Sequence, residues 1–377
     1  MSEGVFAPMT SAIPAEDRDD LGDFDSWRLR VRRQILDQVW SFTSRQFDEY
    51  SATAGDEDMT GPGREILRNF LSGGKCLRST FMYLGWLCAA PPTEAALRAA
   101  GSLELLHAFA LLQDDVMDNS AERRGRPAAH IQFSAWHRRR ALSGPATRFG
   151  TSAATLLGDL CLIWSEQMLR ESGVDSRRLQ RAWTRFDAMR TELAIGQFAD
   201  LASDARDLPS IETMLRVIRL KSGNYTVRRP LEIGAAMAGC DEVTLCGLGR
   251  YGSLIGEAFQ LRDDILGVFG SPTTTGKPSG DDLIEHKATV LVLLAHEMAT
   301  DSARRELTDL MNNQHIDGPA LDRWRTLITD TGATDRVEQL IRERVMAAHD
   351  ALGHIAVDGI TREALEKMAD LCTQREQ

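Results

Sequence analysis

The sequence predicts an all-α protein, a single-domain antiparallel helical bundle around a central cleft. Long windows rich in Ala, Leu, Arg, Glu and Met repeat their apolar residues at helical spacing, and alternating β-branched runs and Asn-Gly turns are missing. No linker rich in Gly, Ser or Pro divides the 377 residues, and acidic motifs occur in both halves. This arrangement favours one bundle whose two halves meet at a cleft.

The helical pattern falls into successive segments along the chain. We expect helices over residues 26–50, 75–90, 94–119, 152–171, 178–204, 210–238, 243–268, 286–300, 334–354 and 361–374. Thr93, Asp241, Asp335 and Thr361 precede or open apolar runs and are the expected N-caps. Loops are expected near residues 51–63, 119–130, 141–150, 204–210 and 270–285.

Composition limits the classes of function. The net charge of −11 argues against a general nucleic-acid binder, which needs a positive surface to displace counterions from phosphates. Six scattered cysteines without zinc spacing indicate a reducing cytoplasm. The apolar run at 288–295 is shorter than the roughly 20 residues of a membrane span, so no transmembrane segment is expected. Residues 1–25 resemble a disordered acidic tail rather than a secretory signal, which leaves 26–377 as the folded domain.

The most informative segment is residues 111–125, which combines carboxylates at helical spacing with two adjacent arginines. Asp114 and Asp118 are four apart and therefore share one helical face, where they can hold hard cations together with phosphate oxygens. Arg123 and Arg124 supply forked donors for phosphate. A solvated acidic helix end is the alternative, but the strongly apolar run at 105–112 favours a metal-bridged diphosphate site.

Three further motifs can contribute to the same site. Asp263 and Asp264 follow a second apolar helical run, so the two acidic pairs can face each other across the cleft. Lys75 and Arg78 lie in the first turn of a helix, where exposed amides favour an anion but cations oppose the helix dipole. Ser, Gly and Asn interrupt a helix at 221–226, which indicates a bend or a close approach of two backbones. A literal GxGxxG at 247–252 follows a helix instead of a strand, so a dinucleotide site is not expected.

These motifs occur in one order: Gly-Gly-Lys-Cys-Leu-Arg at 73–78, the acidic segment, Lys-Ser-Gly-Asn-Tyr-Thr at 221–226 and Phe-Gln-Leu-Arg-Asp-Asp at 259–264. In this the chain resembles the trans-isoprenyl diphosphate synthases, or polyprenyl synthetases, from about residue 30 to about residue 300. The resemblance implies the isoprenoid synthase fold, a homodimer, and Mg²⁺-dependent condensation of an allylic diphosphate with isopentenyl diphosphate. Three magnesium ions are expected.

The resemblance also implies roles for individual residues. The metal residues would be Asp114, Asp118, Asp263 and Asp264, with Asp115 and Gln197 in supporting positions. The isopentenyl diphosphate site would be Lys75, Arg78, His107 and Arg124, and the allylic diphosphate site would be Arg123, Lys221, Gln260, Lys277 and Lys287. The chain departs from the family pattern at Cys76, Ser79 and Gly267, where Arg, Pro and Asp are usual.

Two residues are expected to set product length. Phe109, five residues before Asp114, and Ala110, four before it, resemble the pattern of geranylgeranyl diphosphate synthases, which implies a twenty-carbon product. On a helical wheel Ala110 lies about 40° from Asp114 and Phe109 about 140° away, so geometry alone favours Ala110 as the wall of the cleft. Two alternatives remain open: a class I terpene cyclase, and a regulatory subunit of a heteromeric prenyl synthase.

Overall fold

The computed structural model describes residues 23–54, 57–202, 208–271, 280–313 and 315–374. Within these ranges the chain is almost entirely helical, and its one pair of strands is a hairpin of two residues on each side, Glu122–Arg123 (β1) and Arg126–Pro127 (β2). The predicted all-α fold is therefore confirmed. The predicted tail lies outside the described residues up to position 22, and the first helix begins at Phe24.

The helices are numbered in chain order. Those of the first half are α1 Phe24–Ala54, α2 Glu57–Ser72, α3 Leu77–Leu87, α4 Glu94–Met117, α5 Ala129–Arg139, α6 Ala146–Arg170, α7 Ser176–Leu201 and α8 Ile211–Ile218. A π-helical segment, Arg219–Arg228, joins α8 to α9. Those of the second half are α9 Arg229–Ala238, α10 Glu242–Phe269, α11 Asp281–Ile284, α12 Val290–Met298, α13 Asp301–Asn312, α14 Gly318–Asp330, α15 Ala333–Gly353 and α16 Gly359–Thr373.

Helix α4 is the central helix and ends at the first acidic motif. It begins where the Thr93 side chain accepts a hydrogen bond from Ala96 N at 3.1 Å, as its sequence predicts. Among the described residues α4 alone is long and apolar enough to cross a membrane, by length and composition only. Because 67% of its apolar window is buried inside the protein, it has the burial of a core helix.

Two apolar clusters make up the core. The larger one surrounds α4, and the smaller one lies between the second half of α10 and helices α8, α12, α14 and α15. Helix α10 contributes to both, with Ile255 and Phe259 in the larger cluster and Leu261 and Ile265 in the smaller. This shared helix carries the second acidic motif at the junction of the two clusters.

Several expectations about individual elements were wrong. Helices α2, α5, α11, α13 and α14 were not predicted, and α2 runs through Pro62 and its flanking glycines, where a loop was expected. The N-caps of α15 and α16 are Gly332 and Asp358, so Asp335 and Thr361 lie inside their helices.

Candidate active site

One face of α4 opens onto the cleft. His107, Ala110, Leu111 and Asp114 are half-buried, whereas neighbouring positions such as Leu112 are fully buried. These four positions recur at the three- and four-residue spacing of one helical face. Asp118, the C-cap of α4, lies one turn beyond Asp114. The sequence therefore places its two principal acids at the open end of a groove floored by α4.

The two adjacent arginines are presented by the hairpin. Its turn residues Arg124 and Gly125 both have positive φ, 55° and 70°, as in the type I′ turn that joins twisted strands. From β1 the Arg123 guanidinium donates from Nε to Asp115 Oδ1 at 2.8 Å and from an Nη to Asp114 Oδ2 at 3.1 Å. Arg123 thus bridges the two carboxylates of Asp114 and Asp115.

Asp115 supports this arginine from inside the protein. Its side chain is 1% exposed, and burial raises the pKa of its carboxyl while the charge of Arg123 acts in the opposite direction. Its Oδ2 is buried with no hydrogen-bond partner in the described part of the chain. Asp115 therefore holds Arg123 in position, and Asp114, whose side chain is 22% exposed, faces the cleft.

The interrupted helix brings Lys221 to the same acid. Lys221 Nζ lies 3.9 Å from Asp114 Oδ1 and donates to Asp200, and Gln197 Nε2 donates to Asp114 Oδ1 at 3.3 Å. The predicted close approach is present here, because a Cβ added to Gly196 would fall 2.5 Å from Lys221 N. The lack of a side chain at Gly196 lets α7 touch the π-helical segment, a type of irregularity that often marks a functional site.

The second acidic motif has a different environment for each acid. Asp263 is half-buried, whereas Asp264 is 4% exposed. Both Asp264 oxygens accept hydrogen bonds, from Gln260 Nε2 at 3.1 Å and from Val290 N at 3.2 Å. Burial raises the pKa of Asp264 to about 8. Asp264 and Gln260 thus tie α10 to the start of α12, and Asp263 is the acid of the pair nearer the solvent.

The segment after α11 interacts with the first acidic motif through Lys287 and with the second through Val290 N. Burial and the charge of Asp114 raise the pKa of Asp118, while the positive charges of Lys287 and Lys221 lower it. Lys287 Nζ lies 2.6 Å from Glu285 Oε2. Burial lowers the pKa of Lys287, but nearby carboxylates, Asp118 among them, raise it overall. The end of α4 therefore faces the segment after α11. Lys277 lies outside the described residues.

A separate basic patch lies beside the acids. The Arg78 guanidinium carbon sits 4.3 Å from the centre of the Tyr225 ring, and an Arg78 Nη donates to Thr226 Oγ1 at 2.9 Å. Tyr225 OH lies 3.4 Å from His107 Nδ1. Burial, followed by the charge of Arg78, lowers the pKa of His107 well below its ordinary value, so its ring is neutral at pH 7.

Arg124 extends this patch from the hairpin. It donates from an Nη to Phe70 O at 2.9 Å, and its Cδ would lie 3.2 Å from a Cβ added to Gly73. Burial and the charges of Arg123 and Arg78 lower the pKa of Arg124, while Glu104 raises it. Lys75 is exposed at the rim. The four residues predicted to hold isopentenyl diphosphate thus lie around one region.

Cys76 and Ser79, which depart from the family pattern near Lys75, are both uncharged and buried. Cys76 is 3% exposed with a φ of 52°, and burial raises the pKa of its thiol, which stays protonated. Ser79 Oγ donates to the buried carboxylate of Glu104 at 2.5 Å. These departures from the family pattern therefore leave the exposed basic side chains in place.

The donor set suits a hard divalent cation that also binds phosphate. In the described ranges no three His, Cys, Asp or Glu side chains converge as a ready-made cage. Burial, followed by the charge of Asp114, raises the pKa of Asp118, so a cation would stabilise its charged form. Magnesium characteristically takes one or two carboxylates together with substrate phosphates and waters. The residues therefore fit magnesium.

Sequence reasoning did not identify four residues of this region. Each lies near a predicted site residue: Tyr225 near His107, Glu104 near Arg124, Asp200 near Lys221 and Asp282 near Lys287. Tyr225 lies within the motif at 221–226, and the helix interruption was the available signal. The other three carry no local pattern, since the partners of Glu104 and Asp200 are distant in sequence and Asp282 itself lies in a segment expected to be a loop.

Comparison with known proteins identifies the family of the chain. The polyprenyl synthetase family model matches residues 63–323. The chain is 32% identical over 310 residues to a geranylfarnesyl diphosphate synthase of Aeropyrum pernix, covering 81% of this chain and 91% of that one. It is 30% identical over 306 residues to a geranylgeranyl diphosphate synthase of Mycobacterium tuberculosis, covering 81% of each.

One solved structure is similar to this chain in both fold and sequence. The geranylgeranyl pyrophosphate synthase of Corynebacterium glutamicum, complexed with isoprenyl diphosphate and magnesium, is similar with a TM-score of 0.86 and 34% identity. The match covers 92% of this chain and 99% of that chain. On its fold, its site and the extent of these matches, the chain belongs to the polyprenyl synthetase family of trans-isoprenyl diphosphate synthases.

Proposed function

We propose that this protein is a magnesium-dependent prenyl transferase that condenses an allylic diphosphate with isopentenyl diphosphate to a twenty-carbon product. One observation carries the proposal. Arg123, Gln197 and Lys221 converge on Asp114, at distances of 3.1 to 3.9 Å, at the open end of the α4 groove. Such a set of cations and carboxylates is suited to a diphosphate leaving group.

The residues divide the work between two diphosphates. Arg123 and Lys221 would bind the allylic diphosphate and stabilise the negative charge that develops as its C1–oxygen bond breaks. Arg78, Arg124, Lys75 and the neutral His107 would hold isopentenyl diphosphate with its double bond directed at that carbon. Magnesium, held by Asp114, Asp118 and Asp263, would screen the charge of the diphosphate and orient it. No side-chain base is needed if the released diphosphate accepts the proton.

The groove below Asp114 would house the growing chain. Gln113, one turn after Phe109, donates to Thr155 O of α6 at 3.3 Å, so this side of α4 faces α6. Ala110 lies on the Asp114 side. Both residues are half-buried and pack against the larger core. We propose that Phe109 and Ala110 stop elongation at twenty carbons, and the relatives named for geranylgeranyl and geranylfarnesyl products support a length in this range.

We further propose that the protein is a homodimer. Helix α6 exposes Leu156, Leu160 and Ile163 at 63%, 38% and 60%, and α7 exposes Ile195 and Phe198 at 54% and 74%. An Arg190–Glu166 ion pair of 2.7 Å joins the two helices, so the exposed apolar residues lie on neighbouring helices. An apolar surface of this kind is typical of a protein interface, and a second copy is the occupant that the family resemblance supports.

The free state of all six cysteines supports a reducing compartment, and we propose the cytoplasm.

The decisive test is incubation of purified protein with Mg²⁺, labelled isopentenyl diphosphate and each of the five-, ten- and fifteen-carbon allylic diphosphates. We expect incorporation and a twenty-carbon endpoint by chromatography. Consumption of geranylgeranyl diphosphate alone to a hydrocarbon would instead identify a terpene cyclase. No incorporation with any starter, together with an obligate partner in pull-downs, would identify a regulatory subunit.

A further inference from the structure

The second acidic motif lacks a carboxylate at the fourth position after Asp263, where Gly267 stands. The space beside Gly267 is nevertheless filled. A Cβ added to Gly267 would lie 1.9 Å from Asp282 Oδ2 and 2.5 Å from its Cγ. The Asp282 carboxylate, from α11, thus occupies the volume that a side chain at position 267 would take.

This carboxylate lies on the helical face of Asp263. Residues four apart in a helix have Cβ atoms roughly 5–6 Å apart, so the Asp282 oxygen beside the Gly267 Cβ position is about one turn from Asp263. The Asp282 side chain is 18% exposed, and Lys287 Nζ lies 3.9 Å from its Oδ1. Lys287 N also donates to Asp282 O at 2.8 Å, which fixes the backbone of α11 relative to this lysine.

Asp264 is poorly placed to offer a carboxylate oxygen to the cleft beside Asp263. Both of its oxygens already accept hydrogen bonds, from Gln260 and from Val290 N. Turning an oxygen toward the cleft would leave a buried donor without its partner, at a cost of about 1–3 kcal/mol.

We propose that Asp282 is a magnesium-binding residue, whose carboxylate completes a pair with Asp263 in place of the side chain absent at position 267. The proposal rests on the diphosphate chemistry proposed above and deepens it. A carboxylate supplied from α11 also links the metal site to the segment that carries Lys287.

Binding of Mn²⁺ in the presence of inorganic diphosphate, followed by electron paramagnetic resonance, tests this assignment independently of turnover. Asp282→Ala should lose one bound Mn²⁺ per chain or weaken it roughly 10–100-fold. Asp281→Ala, the neighbouring acid, is the matched control and should bind Mn²⁺ like the parent. The double variant Gly267→Asp/Asp282→Ala returns a carboxylate to α10 and should recover the lost ion.

Unchanged Mn²⁺ binding by Asp282→Ala would overturn the proposal. So would failure of the double variant to recover binding while it melts at the parent temperature, since Asp282 would then act only as the counter-ion of Lys287. Turnover of the parent protein separates the two proposals. If the parent incorporates isopentenyl units while Asp282→Ala binds Mn²⁺ normally, only the assignment of Asp282 fails. If the parent incorporates none but its Mn²⁺ binding depends on Asp282, only the proposed reaction fails.

Discussion

At the scale of single residues, Tyr225 organises the basic patch although it carries no charge. Its ring lies under the Arg78 guanidinium, and its hydroxyl lies within reach of His107. A cation over an aromatic face is attracted by about 0.5–2 kcal/mol, more when water is excluded. Tyr225 is therefore expected to fix the direction in which Arg78 meets its ligand.

Removal of this ring should weaken binding of isopentenyl diphosphate alone. For Tyr225→Ala we expect the KM for isopentenyl diphosphate to rise roughly five- to tenfold, as the loss of about 1–1.4 kcal/mol implies. Tyr225→Phe keeps the ring and should stay within about twofold of the parent. Steady-state kinetics with both substrates varied measure this, and an equal rise in the allylic KM would contradict a role restricted to Arg78.

The neutral state of His107 leads to a prediction about pH. Burial and neighbouring arginines lower the pKa of His107 in the folded protein, so the unfolded chain binds the proton first. The contribution of His107 to the free energy of unfolding is therefore constant above the unfolded pKa of about 6.5. It falls as pH decreases below that value. Nitrogen-edited NMR, assigned with His107→Gln, should show a neutral ring at pH 6. A ring that titrates near pH 6.5 would contradict this prediction.

At the scale of elements, the contact of α7 with the π-helical segment positions Gln197 and Lys221 together. A Cβ at Gly196 would lie 2.5 Å from Lys221 N and 2.7 Å from its Cα, and these backbone atoms cannot rotate away. Gly196→Ala should therefore destabilise the fold by about 1–3 kcal/mol and raise the allylic KM. Gly353→Ala, where nothing lies within 4 Å, is the matched control and should change stability by less than about 0.5 kcal/mol in urea unfolding.

Helix α4 is the element expected to limit chain length. Phe109→Ala should extend the product beyond twenty carbons, because it removes a half-buried ring from the wall proposed to stop growth. Chromatography of dephosphorylated products measures the length. Leu29→Ala, which shortens a 53% exposed side chain on α1, should leave the product unchanged. A twenty-carbon endpoint in Phe109→Ala would rule out this residue as the ruler.

The elements also show how far sequence reasoning reaches. Helices with long apolar periods, such as α4 and α10, were predicted because burial imposes their pattern, and their caps Thr93 and Asp241 follow local rules. Helix α2 was missed because Pro62 and two glycines oppose a helix locally, while packing of residues such as Leu67 stabilises it. Tertiary burial overrode propensity there.

At the scale of the whole molecule, the contacts between residues far apart in sequence were the part of the site that could not be predicted. Order and spacing along the chain indicated the acids and most cations, since each motif is local. The contact of Arg78 with Tyr225 and the position of Asp282 beside Gly267 join segments far apart in sequence. Such pairs depend on how helices cross, and a single sequence contains no signal for that.

The exposed surface of α6 and α7 gives the prediction about assembly. Phe198→Glu places a charge on a side chain that is 74% exposed in one chain, and burial of an unpaired charge at an interface is costly. We expect this variant to sediment as a monomer while the parent sediments as a dimer. Met346→Glu, at a 73% exposed side chain on α15, should sediment as the parent does. A dimeric Phe198→Glu would place the interface elsewhere.

With the proposed roles of Arg123 and Arg124, the hairpin after α4 would separate the two substrates by one peptide unit. Arg123 reaches the acids at the end of α4, and the next residue, Arg124, reaches Phe70 O at the start of the basic patch. Arg123 ends β1 and Arg124 is the first residue of the turn, so the side on which each guanidinium lies depends on where the turn falls in the sequence. Substitution of either arginine would damage one site, whereas insertion or deletion of one residue in β1 would exchange their sides and damage both. A change in length is therefore expected to be tolerated in the loops outside the hairpin but not within the hairpin.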